Sequence, residues 1–293
     1  MSHMPFTVPV FFVPDMVAQA TSFSPSPGKP EAVVRDWLAS GLPIEVRDFA
    51  AATRQDLYRA HDRAYVDGVL ELRIANGFGN RSPEIARSLL FTSGAMLAAA
   101  EEALINRCVA VAPVSGFHHA GFDDGGGYCT FNGLVVTAMA LRAAGLAERI
   151  GILDLDQHWG NGTADIIDVI SLDYIEHYSA GAEYSHPQQA AEFLRRLPSI
   201  VQRFRRCDVL LYQAGADPHI DDPLGGWLTT NELARRDRIV FDTARDMALP
   251  VAWDLAGGYQ RDRLGRIEPV LRIHRNTMRA CAASFAMTEP AHC

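Results

Sequence analysis

What this sequence lacks narrows its possible roles before any motif is considered. It has no excess of basic charge: 27 Lys plus Arg stand against 35 Asp plus Glu, a net charge of −8. A protein that neutralises nucleic-acid phosphates is ordinarily basic, so binding to DNA or RNA is not expected. Cysteine is scarce, and Cys108, Cys129, Cys207, Cys281 and Cys293 are odd in number and form no C-x-x-C or C-x-x-H pattern. That excludes a disulfide framework and suits a reducing cytoplasm. No basic-then-apolar leader opens the chain, and charge or glycine interrupts the long apolar runs, so no membrane association is expected. Residues 1–4 read as a tag remnant or start-site scar, which leaves 5–293 as a single domain. Also missing are a G-x-S-x-G nucleophile elbow, a Walker A loop, a dinucleotide fingerprint and any internal repeat.

What is present suits an enzyme-sized core. Of the 293 residues, 48% are hydrophobic and 21% charged, close to an average globular domain. Short apolar runs at 8–13, 109–114, 150–155, 209–212 and 250–255 read as buried parallel strands. Helical stretches at 93–106, 132–146, 188–206 and 231–247 lie between them. This alternation predicts an α/β fold with an open, mostly parallel sheet covered by helices on both faces. Thr229 and Glu232 have capping-box spacing, and Pro187 suits a first helical turn. The Ser- and Pro-rich stretch 22–30 reads as a surface loop.

The unusual polar residues gather where these strands end. His118 and His119 follow the second run, Asp154, Asp156 and His158 end the third, Asp217 follows the fourth and Tyr259 the fifth. In open parallel sheets such positions converge on one crevice. Asp156 and His158, two apart in an extended segment, would face the same way. With Asp217 they make an Asp–His–Asp set that leaves a coordination position open, as catalytic zinc requires. The pair also suits capping of the next helix, and by itself does not choose between the two roles. His118 and His119, in a glycine-rich frame with Asp154 and Asn161 as partners, form a candidate acid/base pair. Tyr259 after Ala256-Gly257-Gly258 is either a phenol swung toward a polarised carbonyl or an aromatic packed on a turn.

Taken in order, GFHHA (116–120), GGYCTFN (126–132), ILDLDQHWGNGT (152–163), AGADPHIDDPL (214–224) and GGYQ (257–260) resemble the histone deacetylase superfamily, most closely its class IV-like bacterial branch. Further likeness at 61–69 and 235–241 extends the resemblance over most of the chain. It implies a single-domain arginase/deacetylase-like fold and a deacetylase or deacylase activity. It also implies zinc, or Fe²⁺, held by Asp156, His158 and Asp217. Tyr259 would hydrogen-bond the scissile carbonyl. His119 would carry the proton and His118 act more electrostatically, oriented by Asn161 and Asp154 respectively. Gly127 and Tyr128 would line the acyl-amine channel. The substrate would be an acyl-lysine, an acetylpolyamine or another small acylated amine, and an oligomer is compatible with the family.

The sequence departs from the family in three places. Trp159 replaces the usual His or Gln after the ligand histidine, with altered packing beneath the site as the expected result. The segment between Asn161 and Gly215 is short, so a channel wall must be rebuilt, with Tyr184 or His177 as substitutes. The strand end that helps bind a structural K⁺ beside Asp154 reads as Ile175-Glu176-His177, which puts that K⁺ in doubt. A dinuclear manganese ureohydrolase would need a D-x-H-x-D pattern, but Trp159-Gly160 follow His158. An acyl-amine binding protein without turnover is the remaining alternative.

Overall fold

The computed structural model describes residues 6–20 and 22–286; the expected scar at 1–4 and Cys293 lie outside them. Seven strands form one sheet: β1 (Val8–Phe11), β2 (Ile44–Arg47), β3 (Val109–Val111), β4 (Ile150–Asp154), β5 (Ile175–Ser179), β6 (Val209–Gln213) and β7 (Val251–Asp254). Their order is β2-β1-β3-β7-β6-β4-β5, and every pairing is parallel. All strand C-termini therefore open on the same edge.

Alternate side chains of each central strand enter two different cores. Ile150, Ile152, Val209, Leu211 and Ala252 pack on one face, and Leu153, Leu210, Tyr212, Val251 and Trp253 pack on the other. Burial on both faces is why these strands read as unbroken apolar runs. Helices α2 (Arg54–Ala60), α3 (Arg63–Leu70), α4 (Pro83–Asn106), α5 (Gly133–Ala143) and α6 (Asn161–Ile170) contribute to the first core. Helices α1 (Lys29–Ala39), α7 (Ala190–Gln202), α8 (Thr230–Asp246) and α9 (Glu268–Phe285) contribute to the second.

Helix α8 starts at the expected capping box: Thr229 accepts from Glu232 N, and the Glu232 side chain accepts from Thr229 N at 2.8 Å. Pro187 opens a short 3₁₀ turn that leads into α7. Helix α4 begins ten residues before the expected start, capped by Ser82 with Pro83 in its first turn. By length and composition α4 could cross a bilayer, but its Ala95, Met96, Ala99, Ala100 and Ala103 are buried in the first core. The supposed loop 22–30 is a loop only in part, because Lys29 and Pro30 begin α1 and are buried.

Candidate active site

Strand β4 stops at Asp154, and the chain then bends through 156–158. Asp156 and His158 are therefore brought together by a folded loop and not, as expected, by an extended strand. Asp156 Oδ1 accepts the His158 backbone N–H at 2.9 Å, which fixes the bend. Asp217, just beyond β6, accepts Gln157 N–H on Oδ1 at 3.1 Å. His158 Nδ1 consequently lies 3.1 Å from both Asp156 Oδ1 and Asp217 Oδ2. One donor atom from each of the three residues falls within 4.8 Å of the others.

Asp217 Oδ2 is buried and has no hydrogen-bond partner, its approach to His158 lacking hydrogen-bond geometry. A Cβ on Gly257 would sit 2.3 Å from that oxygen and 2.7 Å from Asp156 Oδ2, so only glycine fits there. Two carboxylates, one imidazole and an unsatisfied buried lone pair suit a divalent ion with a coordination position to spare. Burial, reinforced by Asp156, raises the Asp217 carboxyl to about 7. Burial opposes charge on Asp156 as well, but His118 and His158 outweigh it and hold Asp156 below the usual range. Asp156 and Asp217 in turn raise His158 to about 11.

The paired imidazoles are differentiated by their partners. The rings of His118 and His119 lie 4.1 Å apart, and the His119 ring is 5.7 Å from that of His158. His118 is buried, with Nδ1 2.8 Å from Asp154 Oδ2. Burial disfavours its charge, but Asp154 and Asp156 overcome that and raise it to about 9. His119 Nδ1 donates to Asn161 Oδ1 at 2.6 Å, which leaves Nε2 with its lone pair. Burial and neighbouring His118 lower His119, so it is the neutral member. Gly127, at φ +54°, packs against this ring: a Cβ there would come within 2.4 Å of His119 Cδ2.

The Tyr259 side chain is buried beside these groups, and its backbone N–H donates to Asp222 Oδ2 at 2.8 Å. Burial, with Asp217 and Asp156 adding to it, raises its phenol, which stays a proton donor. Tyr259 also belongs to an aromatic arc. Phe23 stacks on it at 6.1 Å, Tyr128 lies at 5.8 Å, and Phe78 at 5.7 Å from Tyr128.

All ten residues singled out in the sequence thus converge on one crevice, but three expectations around them fail. Trp159 is 53% exposed and packs nothing beneath the site. Tyr184 is buried between Phe193 and Trp227, and the largely buried His177 lies near Gly160 and Asp154, so neither rebuilds the channel wall. Phe23, from the N-terminal loop, is the ring found against Tyr259. The end of β5 is also Ser179, whose Oγ accepts Gly160 N–H at 3.0 Å, and not the expected Ile175-Glu176-His177.

Three supporting residues escaped the sequence reading. Gln213 donates to Asp154 Oδ1 at 3.0 Å and accepts Phe117 N–H at 3.2 Å, joining β4 to the histidine loop. Arg236 on α8 is fully buried and donates to the carbonyls of Leu155 at 3.1 Å and Gly215 at 2.7 Å. It thereby ties together the two strand tips that carry the ligand set. Lys29, the chain's only lysine, is buried at the start of α1 and donates to the carbonyls of Ala256 and Gly257. The clue for the last was lysine's rarity in a sequence otherwise supplied with arginine.

A family model described as the histone deacetylase domain matches residues 26–191 and 178–271. An uncharacterised protein of Picosynechococcus is 29% identical over 198 residues, covering 61% of this chain and 64% of the relative. Acetylpolyamine amidohydrolase 2 of Pseudomonas aeruginosa is 26% identical over 264 residues, covering 79% and 74%. The crystal structure of the HDA15 HD domain superposes with a TM-score of 0.76 at 19% identity, covering 95% of this chain and 90% of the other. That likeness shows a shared fold. The chain spans 64% and 53% of the lengths of the first two curated relatives.

Proposed function

Since this chain belongs to the histone deacetylase family, we propose that it is a metal-dependent amidohydrolase that removes an acyl group from a primary-amine substrate. The observation that carries this reading is the Asp156–His158–Asp217 cluster, with the Asp217 Oδ2 lone pair unused and two imidazoles of opposite protonation beside it. Among the described residues no second cluster of that kind adjoins it, which favours a mononuclear site over the dinuclear ureohydrolase alternative. Asp156, His158 and Asp217 would hold the ion, Zn²⁺ or Fe²⁺. Such an ion supplies Lewis acidity toward the amide carbonyl and a neighbouring water.

The remaining chemistry belongs to the protein. His119 Nε2, kept free by the bond from Nδ1 to Asn161, takes the proton of the attacking water. His118, charged and anchored to Asp154, stabilises negative charge as it develops. Tyr259 donates its phenol proton in a hydrogen bond to the forming oxyanion. Protonated His119 then delivers its proton to the departing amine. Tyr128, Gly127 and the rings of Phe23 and Phe78 offer a wall along which an unbranched methylene stem can lie. An acetylated polyamine, an acylated lysine or a similar small acyl-amine meets that shape.

Metal quantification together with a deacylation screen tests this proposal. The expected result is about one divalent ion per chain, with hydrolysis of at least one class among acetyl-lysine peptides, acetylpolyamines and longer acyl-amines. Asp217→Ala is expected to lose both metal and turnover. A wild-type protein that binds the ion and the acyl-amines but hydrolyses none of them would instead establish a binding protein.

A further inference from the structure

We propose that Trp159 is a specificity-determining residue: with Phe23 it receives an uncharged apolar group carried at the far end of the substrate's stem. The inference rests on the acyl-amine reading above and narrows it, favouring amines that end in an aromatic or aliphatic group over those that carry a second ammonium. Phe23 and Trp159, each 53% exposed, are the only exposed Phe, Trp or Tyr side chains among the described residues. The other three tryptophans, Trp37, Trp227 and Trp253, are at most 2% exposed. Both open rings stand at the crevice: Phe23 stacks on Tyr259, and Trp159 directly follows His158 of the candidate ligand set.

The main chain around Trp159 is fixed. Gly160 N–H donates to Ser179 Oγ at 3.0 Å, and Asn161 N–H to the Trp159 carbonyl at 2.8 Å. A Cβ on Gly181 would lie 2.3 Å from the His158 carbonyl carbon and 2.6 Å from Trp159 N. An indole left in water on so rigid a loop forgoes the burial that aromatic side chains usually gain, and open apolar groups gathered in one place mark a binding surface. Ile220 and Leu224, 44% and 38% exposed, extend the patch. Their loop meets the site twice: Asp222 Oδ2 accepts Tyr259 N–H, and a Cβ on Gly225 would lie 3.0 Å from Gln157 Cγ, between two candidate ligands. Charge at the mouth is balanced, because the exposed Asp221 is offset by the exposed Arg261, whose guanidinium donates to the Phe23 carbonyl at 3.4 Å. Magnitudes then favour an apolar end group. Covering roughly 60 Å² of apolar surface is worth about tenfold in affinity, whereas attraction of a cation to an exposed ring is worth only about two- to fivefold.

N-acetyl-4-phenylbutylamine and N-acetylputrescine share one stem and differ in the phenyl or ammonium at its end, so steady-state kinetics of metal-loaded enzyme on this pair test the proposal. The wild type is expected to show a kcat/KM about tenfold higher for the phenyl substrate. Trp159→Ala should lower that value about tenfold, mainly through KM, and leave N-acetylputrescine within about threefold. Trp159→Phe should keep most of the preference. Equal kcat/KM for the two substrates in the wild type, a preference for N-acetylputrescine, or equal losses on both in Trp159→Ala would overturn the proposal.

Because the other three tryptophans are buried, acrylamide quenching of the wild-type fluorescence reads chiefly Trp159, and it needs no turnover. 4-Phenylbutylamine, the amine that hydrolysis would release, is expected to protect the indole from the quencher, putrescine to leave it open, and Trp159→Phe to remove most of the quenching. If the wild type hydrolyses no acyl-amide, the activity proposal fails, while protection by 4-phenylbutylamine still decides whether Trp159 receives the apolar group. No protection, or equal protection by putrescine, would refute that role.

Discussion

Gly127→Ala offers a sharp test of the site because it adds one methyl group without touching a candidate ligand. The new Cβ would lie 2.4 Å from His119 Cδ2 and 2.9 Å from Cγ, about 1 Å inside ordinary carbon contact. His119 must move by about that amount, and its 2.6 Å bond to Asn161 then lengthens past the useful range. A misplacement of this size in a proton-transfer group costs on the order of 100-fold in kcat, with substrate affinity little changed. The backbone adds a separate penalty of about 1–2 kcal/mol for alanine at positive φ. That predicts a melting temperature lower by several degrees.

Gly126→Ala is the control. A Cβ there meets nothing within 4 Å, and it should leave kcat unchanged. Steady-state kinetics, bound-metal content and thermal unfolding of the two variants separate these effects. A Gly127→Ala enzyme with kcat within about threefold of wild type, at full metal content, would refute the assignment of His119 as the proton carrier.

Other perturbations give equally definite outcomes. Tyr259→Phe should retain its metal and lose about 100- to 1000-fold in kcat through loss of the oxyanion donor; full activity would remove the phenol from the mechanism. His158 is raised to about 11 between its two carboxylates, and an imidazole must be neutral to coordinate, so loading the ion at pH 7 should expel at least one proton. Affinity should then fall about tenfold per unit of acidification for each proton released, and calorimetry in buffers of different ionisation heat would contradict this if no proton appeared. His61 Nδ1 donates to Gly121 O and its Nε2 accepts Asn132 N–H, both at 2.8 Å, so only the neutral ring fits, and burial lowers it to about 4. Between about pH 6.5 and 4 the unfolded chain therefore binds more protons. The stability this group protects is complete above that window and falls by up to about 1.4 kcal/mol per unit on acidification. Urea unfolding at pH 7 and pH 5 should show a smaller loss in His61→Gln, and equal losses would refute the argument.

How far the fold could be read from sequence followed how each element is buried. The central strands β3, β4, β6 and β7 announce themselves because both faces are covered. The edge strand β2, Ile44-Glu45-Val46-Arg47, is only half covered and has no apolar run. Strand β5 is the other edge and carries Glu176 and His177 at partly exposed positions. Helix α1 was hidden by the prolines of 22–30, one of which, Pro30, is a helix-start residue. Helix α9 has its buried Val270, Ile273, Thr277 and Cys281 interleaved with Arg272, Arg275 and Arg279, which dilute the apolar signal. The early start of α4 was legible in Ser82-Pro83-Glu84 as a cap followed by proline, a local signal that a search for apolar periodicity passes over.

The candidate site divides along a different line. Groups that would meet the ion or substrate carry their chemistry in the side chain, and Asp156, His158, Asp217, His118, His119 and Tyr259 were visible as unusual polar residues at strand ends. The groups that hold them act on the main chain. Arg236 bonds the carbonyls of Leu155 and Gly215, and Lys29 those of Ala256 and Gly257. A carbonyl looks the same at every position in a sequence, so neither partner choice leaves a motif. Both cations are buried, and a buried charge left without hydrogen bonds costs several kcal/mol. Arg236 keeps a buried carboxylate partner in Asp237 at 2.8 Å, so its charge is supported independently of the strand tips, whereas moving Ala256 and Gly257 would take both carbonyls from the Lys29 ammonium. The precision of the cluster thus depends on α1 and α8, which contribute no ligand, and tolerance to substitution should be as low at these two positions as among the residues expected to do the chemistry.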